Sequence, residues 1–196
     1  MMAGARASHL PERKLLSGAL GPIDDEGRFE GYASLFGVPD LGGDIVEAGA
    51  FRETLAKQGA AGVRLLWQHD PNEPIGVWLS LTEDEYGLRV RGRLSLDAAR
   101  ARDVHALIKS GAVDGLSIGF RTERARREAT GLRRIFRLDL WEVSVVTFPM
   151  APGARVFTAS PASKDAEGRL RTSSARTLLA EAIRRVAAQL QPDFHP

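Results

Sequence analysis

The sequence predicts a mainly β (α+β) fold: a small antiparallel β-sheet or β-barrel of about six to seven strands with flanking helices. Three observations carry this expectation. Leu88, Val90, Leu94 and Leu96 alternate with Arg89, Arg91, Arg93 and Ser95, the period-two signature of a strand with one wet face. Several other short apolar runs are bounded by Gly, Pro, Asn and Asp, as strands joined by turns should be. Helical patterning is confined to two short stretches of the body.

Taken in order, residues 1–27 read as a flexible lead-in punctuated by Pro11, Gly18, Gly21-Pro22 and Gly27. Phe29 to Phe36 reads as the first strand, and Gly37 to Gly43 as a turn-rich connection. Ala50 to Gln58 is a short helical segment ended by Gly59. Val63 to Gln68 is a second strand, closed by His69-Asp70-Pro71-Asn72, and Ile75 to Leu81 a third. Asp97 is a suitable N-cap for a helix over Ala98 to Ser110, with the stripe Ala101, Val104, Leu107 and Ile108 and a closing Gly111. Val113 to Arg121 and Ile135 to Phe148 are further strands, and Pro149, Pro152 and Gly153 end the globular part. The expected domain is 28–157. Beyond it, 158–196 reads as a linker followed by an amphipathic tail helix over Ala175 to Leu190, a removable piece.

Composition narrows the chemistry. The 196 residues suit one domain plus tails. No apolar run reaches the roughly 18 residues of a membrane span, and the N-terminus lacks the apolar core of a secretory signal. With no cysteine, a thiol nucleophile, disulfides and Cys-based zinc sites are excluded. No H-E-x-x-H or comparable ligand cluster occurs, so neither a metal nor a cofactor is expected. Arg121, Arg124, Arg126, Arg127, Arg133 and Arg134 crowd one segment. It has no aromatic residue between Phe120 and Phe136 on which bases could stack, and reads as a solvated hairpin or loop.

Gly115-Leu116-Ser117-Ile118-Gly119 fits G-x-S-x-G, a pattern that presents a nucleophilic serine. A serine hydroxyl needs a base, and the base needs a group that holds its tautomer. Of the four histidines, His9 lies in the lead-in, His195 near the end and His105 within a helix. His69 stands where a strand leaves into a loop, a place from which scaffolds display reactive groups, although a turn histidine bonded to Asp70 fits the same stretch. In the last strand, Glu142 shares its face with Phe136, Leu138, Leu140, Val146 and Phe148. A carboxylate there is costly without a partner, and an imidazole would supply one. An edge position that reaches water or a nearby arginine is the alternative. Order excludes an α/β-hydrolase, whose histidine follows its serine. The feasible order is His69, Ser117, Glu142, which triad geometry permits.

The pieces Gly31 to Phe36, Asp44 to Phe51, Leu65 to Asp70, Pro74-Ile75-Gly76, Gly87 to Val90, Gly115 to Phe120 and Trp141 to Pro149 occur in one order. In that order they resemble the prohead maturation serine proteases of tailed phages, a family related in fold to the herpesvirus assemblin proteases. The resemblance covers about residues 29–157. It implies a herpesvirus-protease-like β-barrel, with Ser117 as nucleophile and His69 as general base. Glu142 stands where the herpesvirus relatives carry a second histidine, and would orient His69. Arg155 lies near the place of an oxyanion arginine, though the Pro-rich 149–153 connection departs from that pattern and backbone N–H groups would serve as well.

The implied activity is a serine endopeptidase acting inside the immature prohead in the host cytoplasm. Its substrate would be the scaffolding part of the major capsid protein and the enzyme itself, with dimerisation a further possibility and neither a membrane nor a specific nucleic acid as partner. Two other readings stand beside it. One is an inactive capsid scaffold or assembly protein, the other a nucleic-acid-binding module using the Arg-rich 121–134 segment. A general esterase is disfavoured, because no suitable late histidine follows Ser117.

Overall fold

The computed structural model describes residues 22–157 together with two paired two-residue strands, Ser163–Lys164 and Leu170–Arg171. The expected lead-in up to residue 21 and the tail helix over 175–190 lie outside the described residues. The body runs β1 (Arg28–Leu35), β2 (Asp44–Val46), α1 (Arg52–Gln58), β3 (Arg64–Trp67), β4 (Asp70–Glu83) and β5 (Gly87–Leu94). It continues with α2 (Ala99–Lys109), β6 (Gly115–Arg127) and β7 (Arg133–Val146).

The strands form one seven-stranded sheet in the order β1-β5-β4-β3-β7-β2, with β6 on the remaining side of β7. The sheet curls until its far members meet. The segment Ala154–Phe157 bridges them: Tyr32 N–H donates to Arg155 O at 3.0 Å on the β1 side, and Leu116 N–H to Ala154 O at 2.9 Å on the β6 side. Gly31 faces this closing segment, and a Cβ there would lie 2.3 Å from Arg155 O. The barrel is not purely antiparallel, because both β2 and β3 run parallel to β7.

The period-two pattern of β5 places Leu88, Val90 and Leu94 in the core at 0–2% exposure. Trp78 packs edge-on against Phe29 over the glycine of that strand, Gly92. α2 covers the barrel with Ala101, Val104 and Ile108. Its N-cap is Ala98, without a side-chain cap bond, rather than the expected Asp97. The chain there stays extended one residue longer than capping preference suggests.

Other differences are matters of extent. β4 begins at Asp70, not Ile75, since Pro71 and Pro74 are tolerated where the strand meets only the short β3. The arginine-rich segment is the far end of a long β6–β7 hairpin whose turn lies between Glu128 and Leu132.

One arrangement matters for the site. β2 pairs with β7 over 133–135 and β3 over 142–145, which leaves that edge of β7 without a strand neighbour between them, while β6 runs along the other edge. The α1 region fills the gap. Leu138 N–H donates to Ala50 O, Leu140 N–H to Thr54 Oγ1 at 3.2 Å, and Gln58 Nε2 to Leu140 O at 2.7 Å. A buried peptide group left unpaired costs about 1–3 kcal/mol, which is why the buried Thr54 carries a hydroxyl.

Candidate active site

β3 and β4 are joined by a two-residue turn, Gln68-His69, closed by the Trp67–Asp70 pair. Both turn residues have positive φ, 54° and 61°, the signature of a type I′ turn. Neither is a glycine, so each left-handed conformation costs about 1–2 kcal/mol, offset by contacts to β7. Gln68 N–H donates to Val145 O at 3.0 Å, and Gln68 Nε2 to Thr147 Oγ1 at 2.7 Å. His69 N–H donates to Ser144 Oγ at 3.1 Å. The imidazole is thus held over β7. Asp70 takes no part; its carboxylate accepts from Asn72.

The His69 ring meets Glu142, with Nδ1 to Oε1 at 2.6 Å. A carboxylate only accepts, so Nδ1 carries the proton and Nε2 presents its lone pair. Glu142 is 12% exposed and His69 43%. The second carboxylate oxygen, Oε2, accepts from Ser144 Oγ at 2.6 Å. The hydrogen bond from the ring to Glu142, against a smaller opposing effect of burial, raises the His69 pKa above the ordinary imidazole value.

Ser117 lies on β6, directly opposite Ser144 in the antiparallel pair, and Gly119 lies opposite Glu142. Directly paired residues share a face, with Cβ atoms about 4.5–5.5 Å apart. Ser117, Gly119, Glu142 and Ser144 therefore share one face, with His69 leaning over it from the β3 side. The hydrogen bonds of His69 run to Glu142 and Ser144; none runs to Ser117 among the described residues. Ser117 is 6% exposed and opens into a groove of about 190 Å³, lined by Leu35, Val46, Ile118 and Phe120 and rimmed by Met150. Asp40 and Asp44 line it too, but their carboxylates are engaged. Asp40 accepts from the N–H groups of Gly42 and Asp44, and Asp44 pairs with Arg133.

Sequence reasoning gave Gly119 no role beyond the G-x-S-x-G pattern and gave Ser144 none. The structure shows why position 119 is a glycine: a Cβ there would lie 2.1 Å from Glu142 Oε1. Arg155 has its guanidinium committed to the Asp114 carboxylate and to Pro152 O, so an oxyanion role would require it to give up these partners. His105, the helical histidine, bonds Asp24 O at 2.8 Å.

A family model described as Caudovirus prohead serine protease matches residues 19–167. The chain belongs to this family. Among curated prohead proteases, that of enterobacteria phage HK97 is 42% identical over 127 residues, 63% of this chain and 56% of the relative. That of Escherichia phage T5 is 34% identical over 134 residues, 65% of this chain and 62% of the relative. The chain thus matches little more than half the length of these prohead proteases.

Two solved structures are also similar. The capsid assembly protease of bacteriophage T4 has a TM-score of 0.49 at 15% identity, covering 62% of this chain and 82% of that one. The KSHV protease in complex with a hexapeptide phosphonate inhibitor has a TM-score of 0.44 at 16% identity, covering 85% of this chain and 89% of that one.

Proposed function

We propose that this prohead protease family member is a serine endopeptidase that cleaves the scaffolding part of the major capsid protein, and itself, during prohead maturation. The observation that carries the reading is the His69–Glu142 hydrogen bond, on the face where β6 presents Ser117. Such a pair suits acyl transfer. Ser117 Oγ attacks the peptide carbonyl while His69 Nε2 takes the hydroxyl proton. Glu142 holds the Nδ1–H tautomer and stabilises the imidazolium that forms. The imidazolium returns its proton to the leaving amine, and the C–N bond breaks. Water, deprotonated by the same nitrogen, then releases the acyl group and restores the serine. Hydrogen bonds of this kind are often long before substrate binds and tighten in the complex, so the unbonded Ser117–His69 pair fits the role.

The groove beside Ser117 is lined largely by apolar side chains, with the Asp44 carboxylate paired with Arg133 and the Asp40 carboxylate held by backbone N–H groups, a lining suited to a largely apolar stretch of extended peptide. A nucleic-acid module at 121–134 draws less support. Arg121 pairs with Asp139 and Arg134 with Glu47, and Arg124 packs on Phe136.

The test is co-expression of the wild type and of Ser117→Ala with the neighbouring capsid gene, reading the capsid protein's N-terminus. Processing by the wild type and none by the variant is expected. Equal processing by both would favour an assembly role without catalysis. Autocleavage is read from the mass of the purified chain: a C-terminus shortened within 158–163 in the wild type and intact in Ser117→Ala is expected.

A further inference from the structure

We infer that Ser144 is a positioning residue of this site, a clamp that sets the imidazole and the carboxylate relative to one another; the inference rests on the protease reading above. Ser144 is fully buried on β7, between Leu66 of β3 and Ser117 of β6. A buried hydroxyl must find partners, and the partners here are the two halves of the catalytic pair. Its oxygen accepts the backbone N–H of His69 at 3.1 Å, and its proton goes to Glu142 Oε2 at 2.6 Å. Neither direction can reverse, because an amide N–H only donates and a carboxylate only accepts.

With the 2.6 Å contact from the His69 ring to Glu142 Oε1, the bonds close a cycle through the His69 backbone, Ser144, Glu142 and the His69 ring. The cycle removes two freedoms at once. Oε2 is fixed, so the carboxylate cannot rotate away from Nδ1. The His69 backbone, at a positive φ of 61°, is tied to β7 at the residue opposite the nucleophile. Without the hydroxyl, the His69 N–H loses its acceptor and Oε2 its donor, and the ring is free to drift from the line of attack.

The experiment uses the full chain as Ser144→Ala and Ser144→Thr, each also combined with Ser117→Ala. Turnover is measured on a peptide spanning the capsid processing site that the co-expression experiment identifies. Ser144→Ala is expected to lower kcat by about 10–100-fold with KM changed less than about twofold. Ser144→Thr, which keeps the hydroxyl, should recover most of the loss.

A second readout needs no activity. In the Ser117→Ala background, proton NMR should show a downfield Nδ1–H resonance of His69 that is lost in Ser144→Ala and kept in Ser144→Thr. Ser144→Ala with wild-type kcat and an unmoved resonance would overturn the inference, as would a threonine variant as impaired as the alanine one. A wild type that cleaves nothing would instead remove the protease reading, and the resonance alone would then decide the part of Ser144.

Discussion

Replacing Glu142 with glutamine keeps the shape of the side chain and removes the charge facing Nδ1. Two outcomes are expected. First, kcat should fall by roughly 10²–10⁴-fold, the range that positioned acid–base chemistry supplies. The acid limb of kcat/KM, expected above the ordinary imidazole value of about 6.5 in the wild type because the Glu142 hydrogen bond raises the His69 pKa, should move down toward it. Second, stability should respond with a definite sign. A histidine whose pKa rises on folding contributes stability fully present below its unfolded value and lost as pH climbs through its folded value. The urea-unfolding difference between wild type and Glu142→Gln should therefore be larger at pH 5.5 than at pH 8.5, and the opposite trend would contradict the pairing. Gly119→Ala tests the same carboxylate from below. The new methyl group would sit 2.1 Å from Oε1, so the carboxylate must move. A loss of activity of about 10²-fold with the sheet intact by circular dichroism is expected.

Elements hold the site through hydrogen bonds that the hydrophobic pattern does not reveal. α1 stands in for a strand along β7, with Thr54 as acceptor for Leu140 N–H two residues before Glu142. Thr54→Val keeps the volume and removes the acceptor. A loss of about 1–3 kcal/mol is expected, read as a lower midpoint in urea with unchanged slope. What the sequence made legible divides along the same line. β5 and α2 could be read because a long apolar period leaves a mark at every second residue or along one stripe. β2 could not, since three residues are too few to show a period, and its place beside β7 depends on parallel pairing with residues far along the chain. The sequence marks the His69 turn only as a loop, because Gln-His carries none of the Asn-Gly chemistry that usually signals a type I′ turn. The parity of Glu142 was visible, as a carboxylate on an apolar face. Ser144 was not, because a serine in a strand is unremarkable until the backbone of another turn comes to rest on it.

At the scale of the molecule, the barrel closes through Ala154–Phe157, so the residues after the last long strand hold β1 to β6 and thereby the strand of Ser117. Gly31 lies against the closing segment, and Gly31→Ala would drive a methyl group into Arg155 O. A destabilisation of about 1–3 kcal/mol is expected from such overpacking, read as a lower melting temperature, with activity lost in step as β6 loosens. A melting temperature equal to the wild type would show that the closure carries no weight. The central claim, that Ser117 is a nucleophile made reactive by His69, has a direct test. The full chain is treated with a fluorophosphonate and its peptides are weighed. A single adduct on the peptide carrying Ser117, absent in His69→Ala and much slower in Glu142→Gln, is the expected result; an unlabelled Ser117 in the wild type, or labelling that survives the loss of His69, would contradict it.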